Sequence, residues 1–145
     1  MTPTKSQYTV ILVCGGRVGR NLSKSRVFAV MDHIASFHKG ENIVVVHGGA
    51  VWVDTWSGQW AKARGHIECV VAIDDAKDGS ATSAPFHRNQ RMLDENPGIA
   101  MCLGFPGGGG TFDMMTRAHK KNIPVADVTI EHDGSYEIKW WKETT

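Results

Sequence analysis

Three glycine clusters hold most of the chemical promise of this 145-residue chain: Cys14-Gly15-Gly16-Arg17, His47-Gly48-Gly49-Ala50 and Pro106-Gly107-Gly108-Gly109-Gly110-Thr111. Four consecutive glycines cost backbone entropy on folding, so the third cluster needs a reason. A stretch without side chains lets an oxyanion come up against the main chain, where successive N–H groups act as donors. Thr111 falls where it can cap a following helix, whose N-terminus favours negative charge. Three charge-assisted hydrogen bonds at roughly 1.5–3 kcal/mol each would let phosphate anchoring dominate an affinity. A tight strand-to-helix turn is the plainer use of the same glycines. Two familiar phosphate binders are excluded. A P-loop ends in Gly-Lys-Ser/Thr, and no such tripeptide occurs here. The dinucleotide fingerprint GxGxxG is also absent, because residues 14–19 read CGGRVG.

Each cluster follows a short β-branched run. Residues 8–14, 42–46, 67–73 and 99–105 are continuous and apolar, as strands buried on both faces of a parallel sheet are. Between them, residues 25–38 put Val27, Val30, Met31, Ile34 and Phe37 on one helical face. Residues 52–64, 85–95 and 111–121 are the other expected helices. This order predicts a Rossmann-like, doubly wound α/β fold in one domain, 1–145, with right-handed crossovers. Residues 125–130 and 135–141 flank a His-Asp-Gly turn and read as a hairpin closing the sheet edge. All three glycine clusters then emerge at the carboxyl edge of the sheet, where ligands bind. The polar stretch 74–83 is either a mobile lid or an idle surface loop.

The net charge is +1, with acids and bases interspersed, which argues against a nucleic-acid partner held by general electrostatics. Cys14, Cys69 and Cys102 are widely spaced in apolar runs and form no CxxC pair. Reduced buried thiols in a reducing compartment are expected. No signal-peptide core opens the chain, and no apolar run approaches the roughly 18 residues of a membrane span, so the expectation is a cytoplasmic protein with no membrane partner. The seven histidines contain no HxxxH or HxxH pair, so neither a metal site nor a cofactor is expected. Trp52, Trp56 and Trp60 recur every four residues as one stripe. Packing is its default use, with Trp60 in the core and Trp52 and Trp56 at the interface of a homo-oligomer. Base stacking by Trp52 is the sharper alternative.

HGGA followed by Asp54 and Trp60-Ala61, then Arg88-Asn89-Gln90-Arg91-Met92-Leu93-Asp94-Glu95, then Phe105-Pro-Gly-Gly-Gly-Gly-Thr-Phe-Asp-Met, resembles the SLOG superfamily. The branch it looks most like is the YspA cpYpsA-related SLOG family, which Val13-Cys14-Gly15-Gly16-Arg17 and Ile123-Pro124-Val125 also fit. The likeness runs from about residue 10 to residue 126. It implies a Rossmann-like domain that binds a nucleotide-derived small molecule, as a sensor or sequestering module. Some members act in phage–host conflict. Others, the LOG enzymes, are phosphoribohydrolases that release a base from a nucleoside 5′-monophosphate.

The motif of those enzymes runs PGGxGTxxE, with an upstream arginine and methionine that Arg88 and Met92 match. Its catalytic glutamate falls on Met114, and Asp113 stands one position earlier, a rotation of about 100° on a helix. Cleaving an N-glycosidic bond needs a carboxylate and an arginine to orient the phosphate. Asp113 and Arg88 are the candidates, with Asp54 or His47 assisting. Asp113 is otherwise a first-turn acid complementing the helix dipole. The ligand-binding set is Gly15, Gly16, Arg17, His47, Gly48, Gly49, Asp54, Arg88 and the run Pro106, Gly107, Gly108, Gly109, Gly110, Thr111. Arg17 is preferred over Arg20 beside the first loop. His47 is equally suited to a core hydrogen bond.

Overall fold

The computed structural model describes residues 8–16 and 19–143. Continuous β-branched runs become strands because branched side chains pack well on a pleated surface: β1 Tyr8–Cys14, β2 Asn42–His47, β3 Ile67–Val70, β4 Ile99–Gly104 and β5 Val125–Ile130, followed by β6 Tyr136–Trp140. The helices are α1 Lys24–Ala35, α2 Val53–Ala63, the single turn α3 Asp75–Asp78, α4 Ala84–Glu95 and α5 Gly109–Lys120. The hydroxyl of Ser23 caps α1 by accepting from the Arg26 N–H, and Pro85 opens α4 where its missing N–H costs nothing.

The six strands line up as β3-β2-β1-β4-β5-β6. Every pair is parallel except β5–β6, an antiparallel hairpin at the edge with Val128 opposite Ile138. This is the expected doubly wound α/β architecture. Alternate residues of the central strands feed two cores. Ile11, Val13, Val45 and Leu103 pack with Val27, Val30, Met31 and Trp60 of α1 and α2. Leu12, Cys14, Val46 and Cys102 pack with Met92, Leu93, Met114 and Ala118 of α4 and α5. Each aliphatic side chain so buried contributes roughly 1.5–3 kcal/mol. Among the described residues, no helix is long and apolar enough to cross a membrane.

Three expectations need correction. The run 67–73 is not an interior strand: β3 stops at Val70 and lies at the sheet edge, leaving Ile67, Val70 and Ile73 exposed. Apolar content alone does not tell an edge from a centre. Trp52 does not belong to α2 but stands at its N-cap with φ 74°, so the stripe spans three environments. Trp60 is buried and donates to Asp32, Trp56 packs on the core rim, and Trp52 is exposed with its ring edge-on to Trp56. Finally, the polar stretch 74–83 contains α3, whose Asp78 is buried and held by Nε and Nη2 of Arg91 and by the Asp74 N–H. It is an anchored segment rather than a plain loop.

Candidate functional site

Strand order changes direction between β1 and β4, and the loops leaving these two strands meet. The Phe105 N–H donates to Cys14 O at 2.8 Å and the Gly16 N–H to Pro106 O at 2.9 Å. Above them lies a cleft of about 430 Å³, floored by Gly15 and Gly16 and walled by Gly48, Asp54 and Arg88. Gly108, Gly110, Thr111 and Met114 close the α5 side. Such a topological switch point is where open α/β sheets hold ligands.

The N-terminus of α5 reaches this cleft uncapped. Gly108 is the N-cap and offers no side chain, and the first helical bond runs from the Phe112 N–H to Gly108 O. The N–H groups of Gly109, Gly110 and Thr111 therefore have no helical acceptor, and they carry the positive end of the helix dipole. Thr111, expected as the cap, is instead the third residue of the helix. It is only 7% exposed, and its hydroxyl has no hydrogen-bond partner among the described residues. Asn89, which sequence reasoning left without a role, fixes this end of α5. Its amide donates to Gly110 O at 3.2 Å and to Asp113 Oδ2 at 3.1 Å. No pattern along the chain marks a contact between residues so far apart.

Arg88 projects from α4 into the cleft and is half-buried. Nη1 donates to Gly48 O at 2.6 Å and more weakly toward Val71 O. Among the described residues no carboxylate pairs with it directly. Burial pulls its pKa down, while the charges of Asp54 and Asp78 act in the opposite sense. Arginine nonetheless stays protonated, so the site holds a cation without a bonded counter-ion. Gly48 makes room for it, because a Cβ there would lie 2.7 Å from the guanidinium carbon.

Asp54 does a different job. Its Oδ2 accepts the Gly48 and Ala50 N–H groups at 3.2 and 3.1 Å, folding the β2–α2 loop around itself. Burial holds its carboxyl above the usual aspartate range, outweighing those donors and the nearby His47 and Arg88. His47 turns away from the cleft. Its Nδ1 accepts the Gly49 N–H, which puts the ring proton on Nε2, donated to Glu68 at 2.6 Å. That hydrogen bond, and then Lys62, hold Glu68 below its ordinary range.

Asp113 lies on the α4–α5 seam, not in the cleft. Its Oδ2 is taken by Asn89 and by Arg117 Nε at 2.8 Å, while Met114 faces the cleft in its place. The one-position offset in the motif thus puts the carboxylate on another face of α5. The expected set divides plainly. Gly15, Gly16, Gly48, Asp54, Arg88, Gly108, Gly110 and Thr111 come together. His47 and Gly49 stand behind, Gly109 does not line the cleft, and Pro106 and Gly107 face the β5 side of their loop. Arg17 lies outside the described residues.

Arg20 stands at the cleft mouth, within reach of Gly16 and Gly108. Gly19, Arg20 and Asn21 all have φ between 54° and 114°, a conformation non-glycine residues seldom adopt. Asn21 is fixed there by donating to Ile130 O, and Arg26 donates to Asn21 O and His132 O.

At the back of the cleft, Cys14 Sγ lies 4.0 Å from Cys102 Sγ. That contact and burial push the Cys14 thiol well up, which suits packing rather than nucleophilic attack. Among the described residues, no group of three or more His, Cys, Asp or Glu side chains is placed to hold a metal ion. No protein-family model and no curated protein matches the chain.

Proposed function

We propose that this chain is a SLOG-type module that binds a phosphate-bearing, nucleotide-derived small molecule and acts as a sensor or a sequestering device. One observation carries the reading: an arginine without a bonded carboxylate and an uncapped helix N-terminus face the same cleft. A phosphate would accept from the free N–H groups of α5, from the Thr111 hydroxyl and from Arg88, whose fork suits it. The motif resemblance supports the same ligand class.

Binding is favoured over hydrolysis because Asp113 is engaged by Asn89 and Arg117 and does not face the cleft. Asp54, a buried carboxylate with a raised pKa, favours a second reading as an N-glycosidase, since a general acid needs such a shift.

The test is native mass spectrometry of the protein with mononucleotides, NAD, ADP-ribose and cyclic nucleotides. A complex of unchanged ligand mass with no free base is the expected result, and a released base would establish hydrolysis. Arg88→Ala should weaken the retained ligand about tenfold to a hundredfold, the worth of a charge-assisted hydrogen bond of roughly 1.5–3 kcal/mol. Undiminished binding by that variant would sink the reading.

A further inference from the structure

Strand β6 is an outer edge of the sheet, and the register of its hairpin decides which of its backbone groups are unpaired. The Trp141 N–H donates to Val125 O at 2.9 Å and the Glu131 N–H to Ser135 O at 2.8 Å. Residues opposite one another in an antiparallel ladder alternate between bonded and non-bonded pairs. Glu137 and Lys139 therefore turn their backbone groups toward β5. The N–H and C=O groups of Tyr136, Ile138 and Trp140 point away from it, and none has a partner among the described residues. Such a row is a template for another strand.

The side chains along this edge complement a second copy of themselves. Tyr136, Ile138 and Trp140 lie on the α1 face, opposite Ile130, Val128 and Ala126. Glu137 and Lys139 lie on the other face, both exposed, and neither forms an ion pair among the described residues. An antiparallel copy related by a two-fold axis through Ile138 would set Glu137 opposite the partner's Lys139, and Lys139 opposite the partner's Glu137. These are non-bonded positions, where facing side chains come closest. In the same register Tyr136 stands opposite the partner's Trp140, and all three outward residues exchange N–H···O bonds. Sliding the pair by two residues is the smallest shift that keeps those bonds. It sets glutamate against glutamate or lysine against lysine, which is unfavourable, so the charges select one register. Strand β3, the other edge, offers no such match, because its Glu68 is already engaged by His47 and Lys62.

We infer that β6 is a self-recognition edge, at which two copies of this chain join their sheets into one as an isologous dimer. Trp140, 49% exposed, would be covered by the partner's Tyr136. The interface thus lies on the hairpin rather than at Trp52 and Trp56, and it is independent of what the cleft binds.

Sedimentation equilibrium of the full chain tests this. The wild-type protein is expected at twice the chain's 15.9 kDa. Lys139→Glu and Glu137→Lys, both at exposed positions, each set like charges against each other across the axis and should weaken the dimer about tenfold or more. The chain carrying both substitutions keeps its net charge, regains the opposite-charge pairs and should dimerise as the wild type does. Hydrogen exchange on the wild type needs no variant: the amide protons of Tyr136, Ile138 and Trp140 should gain protection as concentration rises. A wild-type protein that stays monomeric at hundreds of micromolar would overturn the inference. So would a dimer untouched by either reversal, or a doubly reversed chain that stays monomeric.

Discussion

The β2–α2 and β4–α5 loops begin alike, each with glycines directly after a buried parallel strand, yet their backbone donors have opposite fates. In the first, Asp54 takes the N–H groups of Gly48 and Ala50, and His47 takes that of Gly49. Its glycines serve the protein: Gly49 adopts φ 79°, and Gly48 leaves space for Arg88. In the second, the donors at the start of α5 have no side-chain acceptor among the described residues. A Cβ at Gly109 or Gly110 would meet no atom of the described residues within 4 Å, so none of these demands glycine there. One loop is a frame whose polar groups satisfy each other. The other leaves its groups unengaged, and the open space around Gly109 and Gly110 fits the proposed ligand site.

Removing the frame should have the largest effect. Asp54→Ala leaves the buried Gly48 N–H without its acceptor and frees the exposed Ala50 N–H to water, so urea denaturation should show a loss of roughly 1–3 kcal/mol. Loss below 0.5 kcal/mol would mean that the β2–α2 loop is not held by this carboxylate.

Gly48→Ala should act on the receptor through the frame. The new methyl displaces the Arg88 guanidinium, a flexible chain end, so nucleotide affinity should fall about tenfold while the melting temperature changes little. Titration and thermal melts on one sample decide it, and unchanged affinity would disconnect the two loops.

The α3 segment extends the class of self-satisfied frames, with Asp78 hydrogen-bonded by Arg91 and thereby held far below its ordinary range. A depressed carboxylate pKa stabilises the fold above the unfolded value and ceases to do so as pH falls through the folded one. The melting-temperature gap between wild type and Asp78→Asn should therefore be constant from pH 7 to about 5 and narrow progressively as pH falls below about 4. A gap of the same size at pH 5 and at pH 2 would assign the effect to packing.

The smallest effect sharpens the contrast. Gly110→Ala adds a helix former where no atom opposes it, so it should stabilise the protein by roughly 0.5–1 kcal/mol while weakening the ligand. Stabilisation with full affinity would show that this glycine is not kept for the ligand.

The comparison also explains what was readable along the chain. The central strands were legible because their β-branched runs and their burial coincide. β3 has the same composition but no neighbour beyond it, and position in a sheet is a tertiary property. The four-residue spacing of tryptophans continued past the start of α2 because spacing does not register the positive φ at Trp52. In the site, the glycine run pointed to the cleft from its chemistry, and Arg88 from the motif resemblance. His47 depended on strand parity, Asp113 on a single helical step, and Asn89 on a contact across two helices, none of which composition reveals.

The left-handed run at Gly19, Arg20 and Asn21 has a consequence for affinity. A non-glycine residue held in such a conformation costs on the order of 1–3 kcal/mol, and here the hydrogen bonds of Asn21 and Arg26 oppose that cost during folding. A ligand of the proposed kind would meet, at the cleft mouth, a cation whose backbone is already set. Less ordering is then charged against the encounter, and a small molecule with few atoms can still be held tightly.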